Sequence, residues 1–246
     1  NEFMIFGSGA AQEMHRRWFE SHLGKFNLIY KNRSDEFHGL GIAGPKSRDL
    51  LQKIVREDVS NDKFKFRDSR KMFVAGVPAI VNRLSFTGEL GYEIYVAPHF
   101  QIKLYEELME AGKEFNIKPF GSRALMSMRL EKNWGAWTLD YRPDFTAKET
   151  GLDVFINWNK EFIGKNYAKK DESKNKLVPL IVETNDIDVT YNEAVMKGDK
   201  SIGYVTSGGF AHFVNKSVAL SYLDTNELNS GKGIQVEING DLFNCS

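Results

Sequence analysis

The chain has 246 residues, of which 41% are hydrophobic and 27% charged, a composition that supports one large globular core or two modest ones. Lysine and arginine together number 33, as do aspartate and glutamate, so no excess of positive charge indicates nucleic acid or an anionic membrane as a partner. No apolar run reaches the length of a membrane-spanning helix, and we therefore predict no membrane association.

Cysteine and histidine usage narrows the possibilities further. Cys245 is the single cysteine, so no internal disulfide can form, and a reducing, cytoplasmic location is predicted. The five histidines show no metal-ligand spacing, so we expect no zinc or iron site. The chain lacks an initiator methionine and both of its ends resemble strands, which predicts a piece of a longer polypeptide.

Residues 1–168 mix strand-like runs with amphipathic helices, a pattern typical of an α+β fold. A short buried strand is expected at residues 3–6, followed by a Gly-Ser-Gly turn and a helix that continues to about residue 23. Further strands are predicted at 28–30, 37–42, 64–66, 71–74, 77–81 and 152–158, and further helices after Pro45, at 100–112, at 122–132 and up to about residue 168.

A predicted hairpin at residues 82–96 is the stretch around which the other elements are arranged. Two apolar-alternating arms flank residues 87–91, where two glycines allow a tight reversal. In the second arm, alternation with a period of two places Tyr92, Ile94 and Val96 on one face of the strand. Glu93 and Tyr95 then lie on the opposite face.

Glu93 is the unusual residue of this hairpin, because a carboxylate within an aromatic and aliphatic strand is costly to desolvate unless a donor meets it. It can lie on a solvated outer face, or it can form an internal salt bridge with a neighbour such as Arg83 or Arg129. The alternative is that Glu93 binds a ligand that carries two adjacent N–H donors. The pattern alone favours a structural or surface role.

Residues 169–176 (KKDESKNK) carry mixed charge and no apolar side chain, which predicts a solvated linker. After this linker the chain changes to short strands separated by turn signals. These strands are predicted at 177–182, 194–196, 201–206, 217–222 and 233–238. Such a series favours a small antiparallel β barrel or sandwich.

Short motifs follow one another along the chain in the order found in one known family. They are residues 44–51 (GPKSRDLL), 85–93 (SFTGELGYE), 129–132 (RLEK), 162–165 (FIGK) and 206–209 (TSGG). With these motifs the chain resembles the folate-binding, aminomethyltransferase-like part of dimethylglycine and sarcosine dehydrogenases. It is more distantly similar to the T-protein of the glycine cleavage system. The similarity extends over nearly the whole sequence.

The resemblance implies a fold and a domain organisation. Residues 1–168 would form an incomplete, T-protein-like ring of α+β subdomains that binds tetrahydrofolate in its central hole. The N-terminal part of this folate-binding region would be missing. Residues 177–246 would form the small C-terminal antiparallel β barrel, with 169–176 as the linker between the two.

The resemblance also implies an activity. The family transfers a one-carbon unit, released from a small N-methyl amine, to tetrahydrofolate and so forms 5,10-methylenetetrahydrofolate. A flavin oxidoreductase domain or subunit, with FAD, would lie upstream and oxidise the amine. Two alternatives remain open: a folate-binding module without catalysis, and a folate-dependent demethylase of another methylated substrate, such as a sulfonium compound.

The family's binding residues transfer to particular positions of this chain. Glu93 matches the carboxylate that accepts hydrogen bonds from the pterin ring, and Phe86 stands where a tyrosine is usual, so the aromatic wall is kept and its hydroxyl is lost. Phe6 and Ser8 match an early strand that lines the pterin pocket. Arg129 is a further candidate, whose alternative role is an ion pair with Glu131 or Glu93.

Two departures from the family pattern bear on the site. Leu125 stands where the glycine-cleavage branch has an arginine that contacts folate, which favours the dehydrogenase branch. The family's catalytic aspartate belongs to a segment that would precede Asn1. We therefore assign no catalytic residue within the chain.

Overall fold

The computed structural model of the protein describes residues 2–184, 186–228 and 233–246. The chain divides into two compact units, which are described separately. The sheet unit is Trp18–Leu125, and the barrel unit consists of the described residues up to Arg17 together with Met126–Ser246. Asn1, where the predicted folate-binding region starts, lies outside the described residues.

The sheet unit contains one four-stranded antiparallel sheet and several helices. The strands are β1 (His38–Ala43), β2 (Ser69–Val74), β3 (Val77–Asn82) and β4 (Gly91–Val96), and they lie in the order β1-β4-β3-β2. The helices are α1 (Gln12–Leu23), which crosses into this unit from the barrel unit, α2 (Ser47–Ile54) and α3 (Gln101–Ala111).

One face of this sheet forms the core of the unit. Tyr92, Ile94 and Val96 of β4 are 1%, 0% and 0% exposed, which confirms the predicted alternation. Their neighbours in the core include Leu51 of α2 and Leu104 of α3, both fully buried. The apolar side chains of the two helices recur at helical spacing and so cover this face, which leaves the alternate side chains of β4 on the other face.

The hairpin differs from its prediction in the connection between the arms. Its strands are β3 and β4, paired with Asn82 opposite Glu93, and residues 83–90 form a loop in place of a tight reversal. The two predicted glycines serve different purposes. Gly88 has a φ of +87°, which suits glycine, whereas a Cβ on Gly91 would lie 2.9 Å from the Ile42 carbonyl oxygen. The loop therefore contributes side chains where a tight turn would have none.

The barrel unit is built on one six-stranded antiparallel sheet. Its strands lie in the order β10-β9-β6-β7-β8-β5. They are β5 (Asn175–Val182), β6 (Ala194–Lys197), β7 (Lys200–Ala211), β8 (Lys216–Asp224), β9 (Ile234–Ile238) and β10 (Asp241–Asn244). The remaining helices are α4 (Ser122–Glu131), which begins in the sheet unit, α5 (Lys165–Lys169) and α6 (Thr225–Leu228).

The two outermost strands of this sheet meet and close it. The Ile181 N–H of β5 donates to the Ser246 carbonyl oxygen over 2.8 Å, and the Ser246 N–H donates back to Ile181 over 3.0 Å. Val182 and Cys245 form an antiparallel bridge beside this pair. The sheet is therefore a small closed antiparallel barrel, as predicted. The predicted linker joins α5 to β5, whose first residue, Asn175, already belongs to the barrel.

Several predicted strands are wrong. Residues 3–6, 28–30, 64–66 and 152–158 have no strand structure, and 152–158 contains only a short 3-10 turn, Asp153–Phe155. Three of the four runs carry a largely exposed apolar side chain, since Phe3, Ile29 and Val154 are 85%, 97% and 77% exposed. An apolar run becomes a strand when another strand pairs with its main chain, and none does so here among the described residues.

Candidate functional site

A cavity of about 360 Å³ lies in the sheet unit. Its lining comes from β1, from β4 and from residues 84–87 of the loop that precedes β4, together with Phe120 and Leu125. Glu93 and Tyr95 line it and alternate with the core residues of β4, so the cavity lies on the sheet face opposite the core. Its volume falls within the range of small-molecule pockets, roughly 300–1,000 Å³.

Glycines of β1 make room for this cavity. Gly41 pairs with Glu93 across the two strands, and an added Cβ on Gly41 would find nothing within 4 Å. The strand therefore presents bare backbone beside the carboxylate. A flat ring can approach such a surface more closely than it could approach a strand with side chains.

Glu93 itself is half-buried, and one hydrogen bond to it is seen: the Tyr95 hydroxyl donates to Oε2 over 2.9 Å. The predicted salt bridge with Arg83 is not formed. Arg83 instead donates to the Phe64 carbonyl oxygen over 2.5 Å and to Asn61 Oδ1 over 2.8 Å. A carboxylate accepts about four hydrogen bonds, so Glu93 has acceptor capacity left on the cavity side of the sheet.

A second acceptor beside Glu93 is unsatisfied within the described residues. Asn82 is the residue of β3 that pairs with Glu93, and paired residues of antiparallel strands share a sheet face. Its side chain is 4% exposed, and its Oδ1 has no hydrogen-bond partner in the described part of the chain. Buried amides normally have partners, so Asn82 is an unusual polar group beside Glu93, although it is not among the residues that line the cavity.

The remaining walls of the cavity are mostly apolar. Phe86 and Phe120 contribute aromatic rings and Leu125 an aliphatic side chain. Ser85 and Thr87 add hydroxyl groups, which lie 3.2 Å apart. One carboxylate within an apolar and aromatic cavity can bind a flat ring system and orient it through N–H donors on one edge.

Phe6 and Ser8 belong to the barrel unit, whereas Glu93 and Phe86 belong to the sheet unit. Phe6 is 45% exposed, and Ser8 is half-buried at the start of a short 3-10 turn, where its carbonyl oxygen accepts from the Ala11 N–H over 3.0 Å. The strand expected around Phe6 is not formed. A role for Phe6 and Ser8 in binding stays a prediction.

Arg129 lies in the barrel unit within a buried polar network. The side chains of Arg129 and Asp140 are 1% and 0% exposed, and Nη1 of the arginine lies 2.5 Å from Oδ2 of the aspartate. Arg129 also donates to the Trp134 carbonyl oxygen over 2.9 Å and to Ser207 Oγ over 2.6 Å. The alternative role expected for Arg129 was an ion pair with Glu131 or Glu93. Arg129 does form an ion pair, but its partner is Asp140.

Asp140 is the centre of this network. Its Oδ2 accepts from Arg129, from the Ala136 N–H over 2.8 Å and from the Ser207 hydroxyl over 3.0 Å. Its Oδ1 accepts from the Thr206 hydroxyl. These contacts link helix α4, the segment after it and strand β7, so they favour a structural role for Arg129.

Sequence reasoning missed some of these residues. Asp140 belongs to none of the predicted elements or motifs, and nothing in the spacing connects it with Arg129 or with Ser207. Tyr95 was placed on the face of Glu93, which was sufficient signal to predict their contact. The alternating glycines Gly39 and Gly41 of β1 were a second available signal, since they leave one face of a strand bare.

Two further observations concern sites that composition addressed. In residues 2–184, 186–228 and 233–246, no group of three or more histidine, cysteine, aspartate or glutamate side chains is placed to hold a metal ion. Within the same ranges, no helix has both the length and the apolar character needed to cross a membrane.

Comparison with known families identifies the chain. Residues 1–160 match the family described as the GCVT N-terminal domain, and residues 175–246 match the glycine cleavage T-protein C-terminal barrel domain. The chain therefore belongs to the glycine cleavage T-protein family, as its motifs indicated. The second match also agrees with the closed barrel formed by β5–β10.

Individual relatives come from two groups of proteins. Human mitochondrial dimethylglycine dehydrogenase is 37% identical over 98% of this chain and 29% of its own length. An aminomethyltransferase of Caldanaerobacter subterraneus is 33% identical over 97% of this chain and 64% of its own length. The chain thus spans less than a third of the dehydrogenases that it matches, and just under two thirds of this aminomethyltransferase.

A solved structure agrees on the fold. The glycine cleavage system aminomethyltransferase T from Bartonella henselae superposes with a TM-score of 0.84, over 97% of this chain and 65% of that one, at 20% sequence identity. The predicted α+β, T-protein-like fold is confirmed.

The cytoplasmic location predicted from the single cysteine is not supported, because the human and mouse dehydrogenases are mitochondrial proteins. A single cysteine indicates that no intrachain disulfide forms, and this does not distinguish one reducing compartment from another.

Proposed function

We propose that the cavity over β1 and β4 binds the pterin ring of tetrahydrofolate. We further propose that the chain is the folate-binding part of an enzyme that transfers a one-carbon unit from a small N-methyl amine and forms 5,10-methylenetetrahydrofolate. The observation that carries the proposal is Glu93, a half-buried carboxylate that lines the cavity and has acceptor capacity left. Membership of the T-protein family supports it.

The chemistry of Glu93 fits this ligand. The pyrimidine edge of a pterin carries two adjacent N–H donors, and a carboxylate can accept both in parallel. Because the surroundings are partly desolvated, each such hydrogen bond is stronger than it would be in water. The bare backbone at Gly41 gives the ring space, and Phe86 offers an aromatic surface beside it.

In the proposed reaction, the residues of this chain bind and orient. Tetrahydrofolate supplies the nitrogen atoms that accept the one-carbon unit. Glu93 orients the pterin ring by accepting hydrogen bonds from its N–H groups. The apolar side chains of Phe120 and Leu125 limit the access of water to the cavity. Holding two reactants in one cavity can account for much of a rate enhancement, because it replaces a bimolecular encounter with a positioned one.

The amine and its oxidation belong to a partner. We propose that a flavin oxidoreductase domain or subunit, with FAD, oxidises the N-methyl amine and delivers the one-carbon unit. The similarity to dimethylglycine dehydrogenases supports this arrangement. The names of these relatives indicate the class of amine, and the cavity is the proposed binding site for folate.

Calorimetric titration of the chain with folinic acid, a stable reduced folate, tests the proposal. Glu93→Gln should weaken binding by roughly 1.5–3 kcal/mol, about one to two powers of ten, because a neutral amide replaces the charged acceptor and presents an N–H group to the ligand. Unchanged thermal unfolding of the variant would show that the loss is local.

The opposite results are equally informative. Absence of folinic acid binding by the unmodified chain would contradict the proposed function. Binding of undiminished strength in Glu93→Gln would return Glu93 to a structural role and place the ligand elsewhere.

A further inference from the structure

Tyr95 lines the cavity beside Glu93, although it belongs to none of the family motifs. It lies two residues beyond Glu93 on β4, and its hydroxyl donates to Glu93 Oε2 over 2.9 Å. We propose that Tyr95 is a positioning residue that holds the Glu93 carboxylate in the one orientation that receives the two N–H donors of the pterin. This inference rests on the proposed function of the cavity.

The hydrogen bond restrains a side chain that would otherwise rotate. Glu93 has three side-chain torsions and stands on a half-buried strand face, where water alone would leave several rotamers populated. The Tyr95 hydroxyl occupies one acceptor position of Oε2, so Oε1 and the second lone pair of Oε2 remain available. The entropic cost of ordering the carboxylate is then met before the ligand arrives, which strengthens binding.

The position of Tyr95 is itself determined by β1. Gly39 pairs with Tyr95, and a Cβ on Gly39 would lie 3.0 Å from Cε1 and 3.2 Å from Cδ1 of the tyrosine ring. The ring therefore lies against bare backbone, a packing in which an aromatic side chain covers a glycine on an edge strand. The two glycines of β1 differ in use: Gly39 is covered by the ring, and Gly41 is left open for the cavity.

The Tyr95 hydroxyl can donate a hydrogen bond at neutral pH, where tyrosine is protonated. Burial raises the pKa of Tyr95 well above its ordinary value, and the neighbouring Glu93 carboxylate raises that pKa further. Tyr95 thus stays protonated, and its proton has the negative carboxylate as its acceptor. A hydrogen bond to a charged acceptor is shorter and stronger than one between neutral groups.

A double-mutant cycle on the 246-residue chain, measured by calorimetry with folinic acid, tests the inference. Tyr95→Phe retains the ring that covers Gly39 and removes only the hydroxyl. It should raise the dissociation constant about three- to tenfold. In the Glu93→Ala background the same change should have an effect below about twofold, because no carboxylate remains to be positioned.

Gly39→Ala provides a second variant that leaves both side chains of the pair in place. Its methyl group displaces the tyrosine ring, so binding should weaken in the presence of Glu93 and not in the Glu93→Ala background. A merely structural contribution of Tyr95 or Gly39 would lower the unfolding temperature and would weaken binding equally in both backgrounds.

The outcomes separate the inference from the proposed function. Folinic acid binding that is weakened by Glu93→Ala and unaffected by Tyr95→Phe would overturn the inference alone. Equal losses from Tyr95→Phe in both backgrounds would overturn it as well, since Tyr95 would then act without Glu93. Absence of folinic acid binding by the unmodified chain would overturn the proposed function, and the inference with it.

Discussion

The two units contain carboxylates in opposite situations. Asp140 of the barrel unit is fully buried and accepts hydrogen bonds on both oxygens, including one from the Arg129 guanidinium. Glu93 of the sheet unit is half-buried and accepts from the Tyr95 hydroxyl beside an open cavity. A buried carboxylate whose acceptor positions are all occupied by protein donors stabilises the fold. A carboxylate that lines a cavity and has free acceptor positions can bind a ligand.

Replacement of Asp140 should produce the largest effect, and on stability. Asp140→Asn removes the charge that compensates the buried Arg129, and breaking such a pair costs about 3–5 kcal/mol. Glu93→Gln should change the free energy of unfolding by less than about 0.5 kcal/mol, since the side chain is half-buried and unpaired with any cation in the described residues. Urea unfolding of both variants measures the difference.

Equal destabilisation by the two changes would show that Glu93 is a structural carboxylate like Asp140. Asp140→Asn with nearly the stability of the parent would show instead that the buried network contributes little.

Filling the cavity should have the next largest effect, and on binding. A methyl group at Gly41 meets nothing within 4 Å, so Gly41→Ala and Gly41→Val should fold normally while they occupy the space beside Glu93. Folinic acid affinity should fall stepwise, by at least about tenfold for valine, equivalent to ~1.4 kcal/mol. Calorimetry and thermal unfolding measure the two properties separately.

Gly209→Ala is the matched control, because it adds the same methyl group to a strand glycine of the barrel unit, where the added Cβ would lie 3.7 Å from Leu130. Full affinity in Gly41→Val would place the ligand outside this cavity.

The titration of Tyr95 should show the smallest effect. Burial is the main cause that raises its pKa above the ordinary 10.0, and the Glu93 charge adds to it. Glu93→Gln removes a negative charge that opposes formation of tyrosinate, so the pKa of Tyr95 should decrease while remaining above the ordinary value. NMR titration with labelled tyrosine measures this, with Tyr95→Phe used to assign the signal.

The direction of the pKa shift of Tyr95 also determines how stability depends on pH. Because the folded-state pKa of Tyr95 is raised, the folded protein retains a proton that the unfolded chain loses above about pH 10, so stability should decline as pH rises beyond that value. An identical pKa for Tyr95 in the parent and in Glu93→Gln would show that the two side chains do not interact in solution.

The fold was predictable where a local pattern determines the outcome. Alternation placed Tyr92, Ile94 and Val96 in the core, and the turn signals after residue 176 indicated the barrel strands. The runs at 3–6 and 152–158 have equally apolar sequences and form no strand. Strand formation depends on a partner supplied by another part of the chain, and sequence pattern does not contain that information.

The candidate site was predictable only in part. Residue patterns singled out Glu93 and left its role open, and the family motifs supplied the ligand. The contact between Arg129 and Asp140 joins helix α4 to a residue beyond its end at Glu131, where helical spacing no longer applies, so only the structure reveals it. The cavity has room because Gly39 and Gly41 of β1 have no side chains, and the absence of side chains is a weak signal in a sequence.

The closure of the barrel has a consequence for how the protein behaves at high concentration. The main-chain bonds between residues 181 and 246 join two strands that would otherwise each expose a row of unpaired N–H and C=O groups. Unpaired strand edges recruit strands from neighbouring molecules and promote aggregation. A short segment around Cys245 and Ser246 thus does more than complete a fold. It removes the two edges at which this barrel sheet could pair with a strand of another molecule.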